Sequence, residues 1–116
     1  VIDADAMCRQ VRDDSRALYI PEKGKTCPTE ILETLAGYHV EGRPFWKPMH
    51  MQPVYRMHEV IGREGTLRCR TNAYIAGAVS DTGADLFARG CCLPSDIKMT
   101  PEQQDAVIAM IRACFA

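Results

Sequence analysis

With 14 basic and 15 acidic side chains in 116 residues, the chain carries a formal charge of −1 and lacks the strongly basic footprint of a nucleic-acid binder. The length fits a single domain over residues 1–116 with its own core, and no apolar run approaches the ~20 residues that span a bilayer. The acidic start Val1-Ile2-Asp3-Ala4-Asp5 has neither a basic nor an apolar leader segment, so a soluble cytoplasmic protein is expected, with no nucleic-acid or membrane partner.

In chain order, Val1-Ile2 is an apolar pair with no methionine before it, and it reads as the tail of a strand whose beginning is missing. Ala17-Leu18-Tyr19-Ile20 is a short apolar run closed by Pro21 and the turn-prone Lys23-Gly24-Lys25, which predicts a strand. Cys27-Pro28-Thr29-Glu30 opens a helix, with Pro28 at its first position and Glu30 able to reach back to a free backbone N–H. Ile31, Leu32 and Leu35 share a face of that helix, and Gly37 is placed to end it. Tyr38 to Glu41 reads as a third strand.

From Glu41 to Tyr55, Pro44, Pro48 and Pro53 exclude a continuous helix and argue against a central strand, leaving an ordered loop. The highly charged stretch from Arg56 to Asn72, interrupted by Gly62 and Gly65, reads as an excursion or mobile flap with no legible structure. Ser80 or Asp81 can cap a short helix running to Ala88, with Leu86 and Phe87 as its apolar content and Gly90 as its stop. Cys91-Cys92-Leu93 is a short strand ended by Pro94. Thr100-Pro101-Glu102-Gln103 supplies a capping hydroxyl, a proline at the first helical position and an answering side chain three places on. Val107, Ile108, Ile111, Cys114 and Phe115 then form a face suited to packing on a sheet. The fold class is therefore α/β in the α+β sense: a short, mostly antiparallel sheet of three or four strands with two or three helices on it. The six cysteines, Cys8, Cys27, Cys69, Cys91, Cys92 and Cys114, have no C-x-x-C spacing and read as reduced thiols in small apolar positions.

Chemistry-bearing residues concentrate between Glu41 and Tyr55. The only tryptophan, Trp46, stands there with Arg43, Lys47, His50 and Gln52 on a stretch stiffened by prolines. Large aromatic faces beside anion-binding groups on a stiff loop suit a sugar or phosphate ligand. The same composition also suits a loop whose Phe45, Trp46, Met49 and Met51 pack inward while its charges stay solvated.

Arg43-Pro44 and Trp46-Lys47-Pro48-Met49-His50-Met51-Gln52-Pro53 resemble the R-P-x-W-K-P-x-H-x-Q-P stretch in the small domain of the DegT/DnrJ/StrS nucleotide-sugar aminotransferases. Leu86-Phe87-Ala88-Arg89-Gly90-Cys91-Cys92-Leu93-Pro94-Ser95 and Thr100 to Asp105 resemble that family's closing blocks, in the same order and at compatible spacing. The resemblance implies the C-terminal domain of an enzyme that uses pyridoxal phosphate to transaminate a keto group on a nucleotide-linked sugar. It further implies glutamate as the usual amino donor and a homodimer in the parent. Arg43, Trp46, Lys47 and His50 are carried over as substrate-facing residues. The catalytic lysine, the aspartate on the pyridine nitrogen and the phosphate cup belong to the family's large domain, so no catalytic or cofactor-binding residue is expected here and Lys47 is not the aldimine lysine. Met7 to Arg16, the Arg56 to Asn72 stretch and Cys91 depart from the family pattern and leave the substrate subgroup open.

Other readings compete. Asp81-Thr82-Gly83-Ala84 equals the nucleophile motif of retroviral-type aspartic proteases, but that fold is nearly all β, and Ile61-Gly62-Arg63 precedes the aspartate instead of following it. Met49, His50, Met51, Met57 and His58 with the thiols could hold a soft metal such as Cu(I). A stand-alone binding or dimerisation module is the remaining alternative.

Overall fold

The computed structural model describes residues 1–12, 17–55, 59–62, 65–68 and 82–116. The elements run β1 (Gln10–Arg12), β2 (Ala17–Tyr19), α1 (Pro28–Gly37), β3 (Arg43–Pro44), β4 (Glu59–Gly62), β5 (Gly65–Arg68), α2 (Thr82–Arg89), β6 (Cys91–Cys92) and α3 (Pro101–Ala113). The chain divides into two units, Val1–Phe45 with Ala88–Ala116, and Trp46–Phe87. No helix among the described residues is long and apolar enough to cross a membrane.

The first unit is built around α1. Its core is Ile2, Ile31, Leu35 and Val107, closed over by half-buried Val40, Met110, Ile111, Cys114 and Phe115 among others. Leu35 is fully buried, and burying such a side chain contributes roughly 1.5–3 kcal/mol. The predicted start of α1 holds, but its cap differs. Cys27 makes no side-chain bond to the helix. Glu30, instead of answering a backbone N–H, accepts a 2.6 Å hydrogen bond from the hydroxyl of Thr26, which is itself fully buried. The Thr26 backbone also exchanges bonds with Ala6 O and Cys8 N, at 3.0 and 2.9 Å, in a parallel bridge that joins the N-terminal segment to the head of α1.

The other end of α1 departs in part from the sequence expectation. The helix ends at Gly37 as expected, but the left-handed position that closes the turn is not this glycine; it is His39, at a φ of 58°. The His39 N–H bonds Ala36 O at 3.0 Å and the Val40 N–H bonds Leu35 O at 2.9 Å, the two-bond Schellman closure. Val40 is thereby turned into the core beside Leu35. The predicted strand from Tyr38 to Glu41 is consequently absent: the N–H groups of Tyr38, His39 and Val40 are given to the helix carbonyls of Leu35 and Ala36.

The strands are antiparallel and fall into three separate pairs, β1 with β2, β3 with β6 and β4 with β5, where a single sheet of three or four strands was expected. The α+β class stands. The strand read from Ala17 to Ile20 is β2, in register with β1 as Gln10↔Tyr19, Val11↔Leu18 and Arg12↔Ala17. Gly24, at φ 79°, makes the turn beyond it. Val1-Ile2 is not a strand; the Ile2 N–H bonds Arg89 O at 3.0 Å and the Arg89 guanidinium donates back to Ile2 O. In β3, Pro44 is tolerated because a two-residue edge pairing asks little of its missing N–H.

The closing helix α3 starts as predicted. The Thr100 hydroxyl accepts from Gln103 N at 3.3 Å, and Gln103 Oε1 accepts from Thr100 N at 3.0 Å. Its packing differs from the expectation: α3 lies on α1, not on a sheet. Met110 takes the inward place given to Ile108, which is exposed. The Cys114 thiol spans the two helices, within 3.5 Å of Thr34 Oγ1 and 3.4 Å of Met110 O.

In the second unit, the Arg56 to Asn72 stretch, read as an excursion with no legible structure, contains a hairpin. Strands β4 and β5 pair from Glu59↔Arg68 to Gly62↔Gly65. The remainder of Arg56 to Asn72, with Cys69, lies outside the described residues, as do the proposed caps Ser80 and Asp81. The helix expected through Ala88 is α2, ending at Arg89 just before Gly90.

Candidate functional site

The loop from Glu41 to Tyr55 falls in both units. In the first, Gly42 is pressed against α1: a Cβ there would stand 2.6 Å from Leu32 Cδ2 and 3.3 Å from Leu35 Cδ1. Only glycine lets the chain leave the core here without displacing Leu32. Next to it Arg43, on β3, is exposed, and its guanidinium closes on Glu41, Nη2 and Nε lying 2.5 and 2.8 Å from the same carboxylate oxygen. An exposed pair of this kind is worth roughly 0–1 kcal/mol, so a phosphate or carboxylate competes for Arg43 at little cost.

In the second unit, two 3-10 turns, Met49–Met51 and Pro53–Tyr55, order the continuation. Pro48 O accepts from Met51 N at 3.0 Å, Met49 O from Gln52 N at 2.9 Å, and Gln52 O from Tyr55 N at 3.0 Å. The Gln52 amide reaches back to Lys47 O at 3.4 Å. This short-range bonding is what prolines at 48 and 53 permit, since neither is asked for an N–H in a ladder. Trp46 is 81% exposed and Met49 is also exposed, so the alternative in which both pack inward is not the arrangement seen. Phe45 and Met51 are half-buried. Lys47 is exposed, with no ion-pair partner among the described residues, and His50 is half-buried in the first turn. Of the four candidate residues, Arg43 thus belongs to the first unit and Trp46, Lys47 and His50 to the second.

A lysine holding pyridoxal phosphate has to be shielded from water together with a carboxylate and phosphate donors. Lys23, Lys47 and Lys98 are exposed, and Lys25 is spent on Glu22 at 2.6 Å in a turn. The described residues therefore do not fit that group. Among the described residues no three His, Cys, Asp or Glu side chains converge on a metal position; Met57 and His58 of the soft-metal reading lie outside them. The protease reading fails on local structure. Asp81 lies outside the described residues, but Thr82-Gly83-Ala84 is the first turn of a helix, whereas the nucleophile motif has to be an extended loop.

Sequence reasoning missed a cavity of about 480 Å³ in the first unit, lined by His39, Asp96, Lys98, Val107 and Met110 among others. These residues are scattered from 39 to 110, and only the packing of α3 on α1 brings them together; no local pattern signals it.

No family model matches the chain, and no solved structure matches it with significance. A curated protein does. EpsN of Bacillus subtilis (strain 168), provisionally described by its name as a pyridoxal phosphate-dependent aminotransferase, is 36% identical over 88 residues, 76% of this chain. The aligned part is 19% of that protein, so the chain spans about a fifth of its relative's length. The chain is thus similar, over most of its own length, to one portion of such an aminotransferase.

Proposed function

We propose that the chain is the C-terminal, substrate-covering part of a DegT/DnrJ/StrS-type aminotransferase acting on a nucleotide-linked keto sugar, working in a cytoplasmic homodimer with an amino-acid donor. The similarity to EpsN supports the aminotransferase portion of this reading. The observation that carries the substrate role is the exposure of Trp46 beside Lys47 on a stretch fixed by short-range hydrogen bonds. An indole face held open to water costs apolar exposure that a base or sugar ring would relieve by stacking. Lys47 supplies a positive charge for the diphosphate; in the first unit, the exposed Arg43 is separately open to an anion with bidentate geometry. His50, partly withdrawn from solvent, supplies a ring nitrogen to a sugar hydroxyl. Amino-group transfer itself belongs to the cofactor-bearing remainder of such an enzyme, and no step of it is assigned to these residues.

Trp46 is the single tryptophan and so reports on its own site. Titrating the chain with UDP-N-acetylglucosamine should quench Trp46 emission saturably. Lys47→Gln should weaken that response about tenfold, the share expected of one charge-assisted contact of ~1.4 kcal/mol. An emission spectrum that does not change, or one that changes equally in Lys47→Gln, removes the substrate role from this segment.

A further inference from the structure

The cavity between the C-terminal turn of α1 and the first half of α3 shares no residue with the segment discussed above and lies wholly in the first unit. At about 480 Å³ it falls within the range of small-molecule sites. Its floor is apolar, with Val40, Val107 and Met110 continuous with the core. Its rim carries both signs of charge. Asp96 and Lys98 both line it, two residues apart, yet their charged ends form no ion pair within 4 Å. The reason is local. Asp96 Oδ1 is turned back to accept the backbone N–H of Lys98 at 2.7 Å, and Met99 N bonds Asp96 O at 3.0 Å. That turn fixes the carboxylate while leaving its second oxygen unclaimed, and the Lys98 ammonium has no partner among the described residues. Pro94, Met99, Gln103 and Ala106 complete the lining together with His39, which is held in a left-handed conformation that an L side chain rarely adopts.

An apolar floor beneath a carboxylate and an ammonium kept apart from each other is complementary to a ligand carrying the opposite pair of charges at one end and a hydrocarbon tail at the other. We propose that this cavity is a binding site for a free α-amino acid with an apolar side chain. Its ammonium would pair with Asp96, its carboxylate with Lys98, and its side chain would lie on Val40, Val107 and Met110. A simple fatty acid or amine satisfies one charge and leaves the other facing it with nothing, which is the basis for discrimination.

The test is a two-dimensional amide NMR titration of the chain with L-leucine, with two arms that each delete one charge, 4-methylpentanoate and 3-methylbutylamine. L-Leucine should shift the Val40, Met99 and Val107 amides saturably, with a Kd on the order of 1 mM. Each single-charge analogue should bind at least about fivefold more weakly, and so should Lys98→Gln and Asp96→Asn. The amide oxygen retained in Asp96→Asn still accepts the Lys98 N–H, so that variant removes charge without removing the turn. Lys23→Gln, on an exposed turn away from the cavity, should bind L-leucine unchanged. Absence of saturation with L-leucine overturns the proposal, as does equal binding of either analogue to the unsubstituted chain, an outcome that does not depend on how any variant folds.

Discussion

His39 holds a position that ordinarily belongs to glycine. A φ of 58° brings Cβ close to the following carbonyl, which costs an L-residue about 1 kcal/mol. The chain accepts this because the next residue, Val40, can then enter the core beside Leu35. His39→Gly should therefore stabilise the fold by about 0.5–1 kcal/mol, the relief of strain outweighing the greater freedom of the unfolded chain. An upward shift of the urea midpoint at unchanged slope is the reading that checks it. From sequence, Gly37 was the natural place to stop, because glycine is the usual helix terminator. The helix does end there, but the left-handed position that closes it, His39, followed the apolar pair Leu35 and Val40, a tertiary preference that the local letters do not carry.

Cys8 gives a second prediction at this scale. Burial, then the hydrogen bond to the Cys27 thiol and the unfavourable field of that group and Glu30, push its pKa from 9.0 to about 11. A group raised in the folded state contributes stability that is complete below the unfolded value and lost as pH rises through the folded one. Between pH 9 and 11 the folded chain should thus lose on the order of 2 kcal/mol to this thiol. Tyr19, also raised, first by burial and then by Glu30 and Glu33, acts in the same direction. Urea midpoints measured across this range should fall, and Cys8→Ala, less stable at neutral pH, should fall less steeply. Parallel curves for the two proteins would contradict the assignment.

Among the elements, those whose ends are written in side chains were legible, as were the apolar runs of β2 and β6, whereas the hairpin of β4 and β5 was not. The start of α3 is encoded by Thr100, Pro101 and Gln103, and both bonds of the capping box form. Thr100→Ala should cost about 1 kcal/mol in urea or thermal denaturation, with Gln103→Ala recovering none of it, since the two side chains serve different orphan donors. The hairpin of β4 and β5 was read as a gap because its glycines looked like interruptions. Gly62 and Gly65 are instead the last paired residues before the connection, and Val60 and Leu67 pair as part of a register that only the partner strand defines. The same limit explains the loss of the third strand: Tyr38 to Glu41 has strand-like residues, but the N–H groups of Tyr38, His39 and Val40 are committed to the helix end. The exposed loop was legible in a different sense. Its prolines correctly excluded a continuous helix, while the short edge pairing of Arg43-Pro44 and the 3-10 turns between Met49 and Tyr55 came from bonds too short-ranged to show in composition.

At the scale of the whole molecule, cofactor binding by these 116 residues alone is decided by how their lysines are placed. The part of EpsN aligned to it is 19% of that protein, and the lysines present here are set out on turns and loops. An aldimine formed on an exposed amine is open to hydrolysis and gains nothing from a fixed carboxylate or phosphate cup, so its formation is weak and spread over several lysines. Adding pyridoxal phosphate to the chain should accordingly give no saturable 1:1 absorbance band in the aldimine region, and gel filtration should remove whatever colour develops. Lys47 is the discriminating residue, being the lysine that stands beside the tryptophan. If a stoichiometric band survives gel filtration and disappears in Lys47→Gln, this segment holds the cofactor itself, and its role as a substrate-covering wall has to be abandoned. If the band is absent while Trp46 emission still responds to the nucleotide sugar, this segment binds the sugar without holding the cofactor.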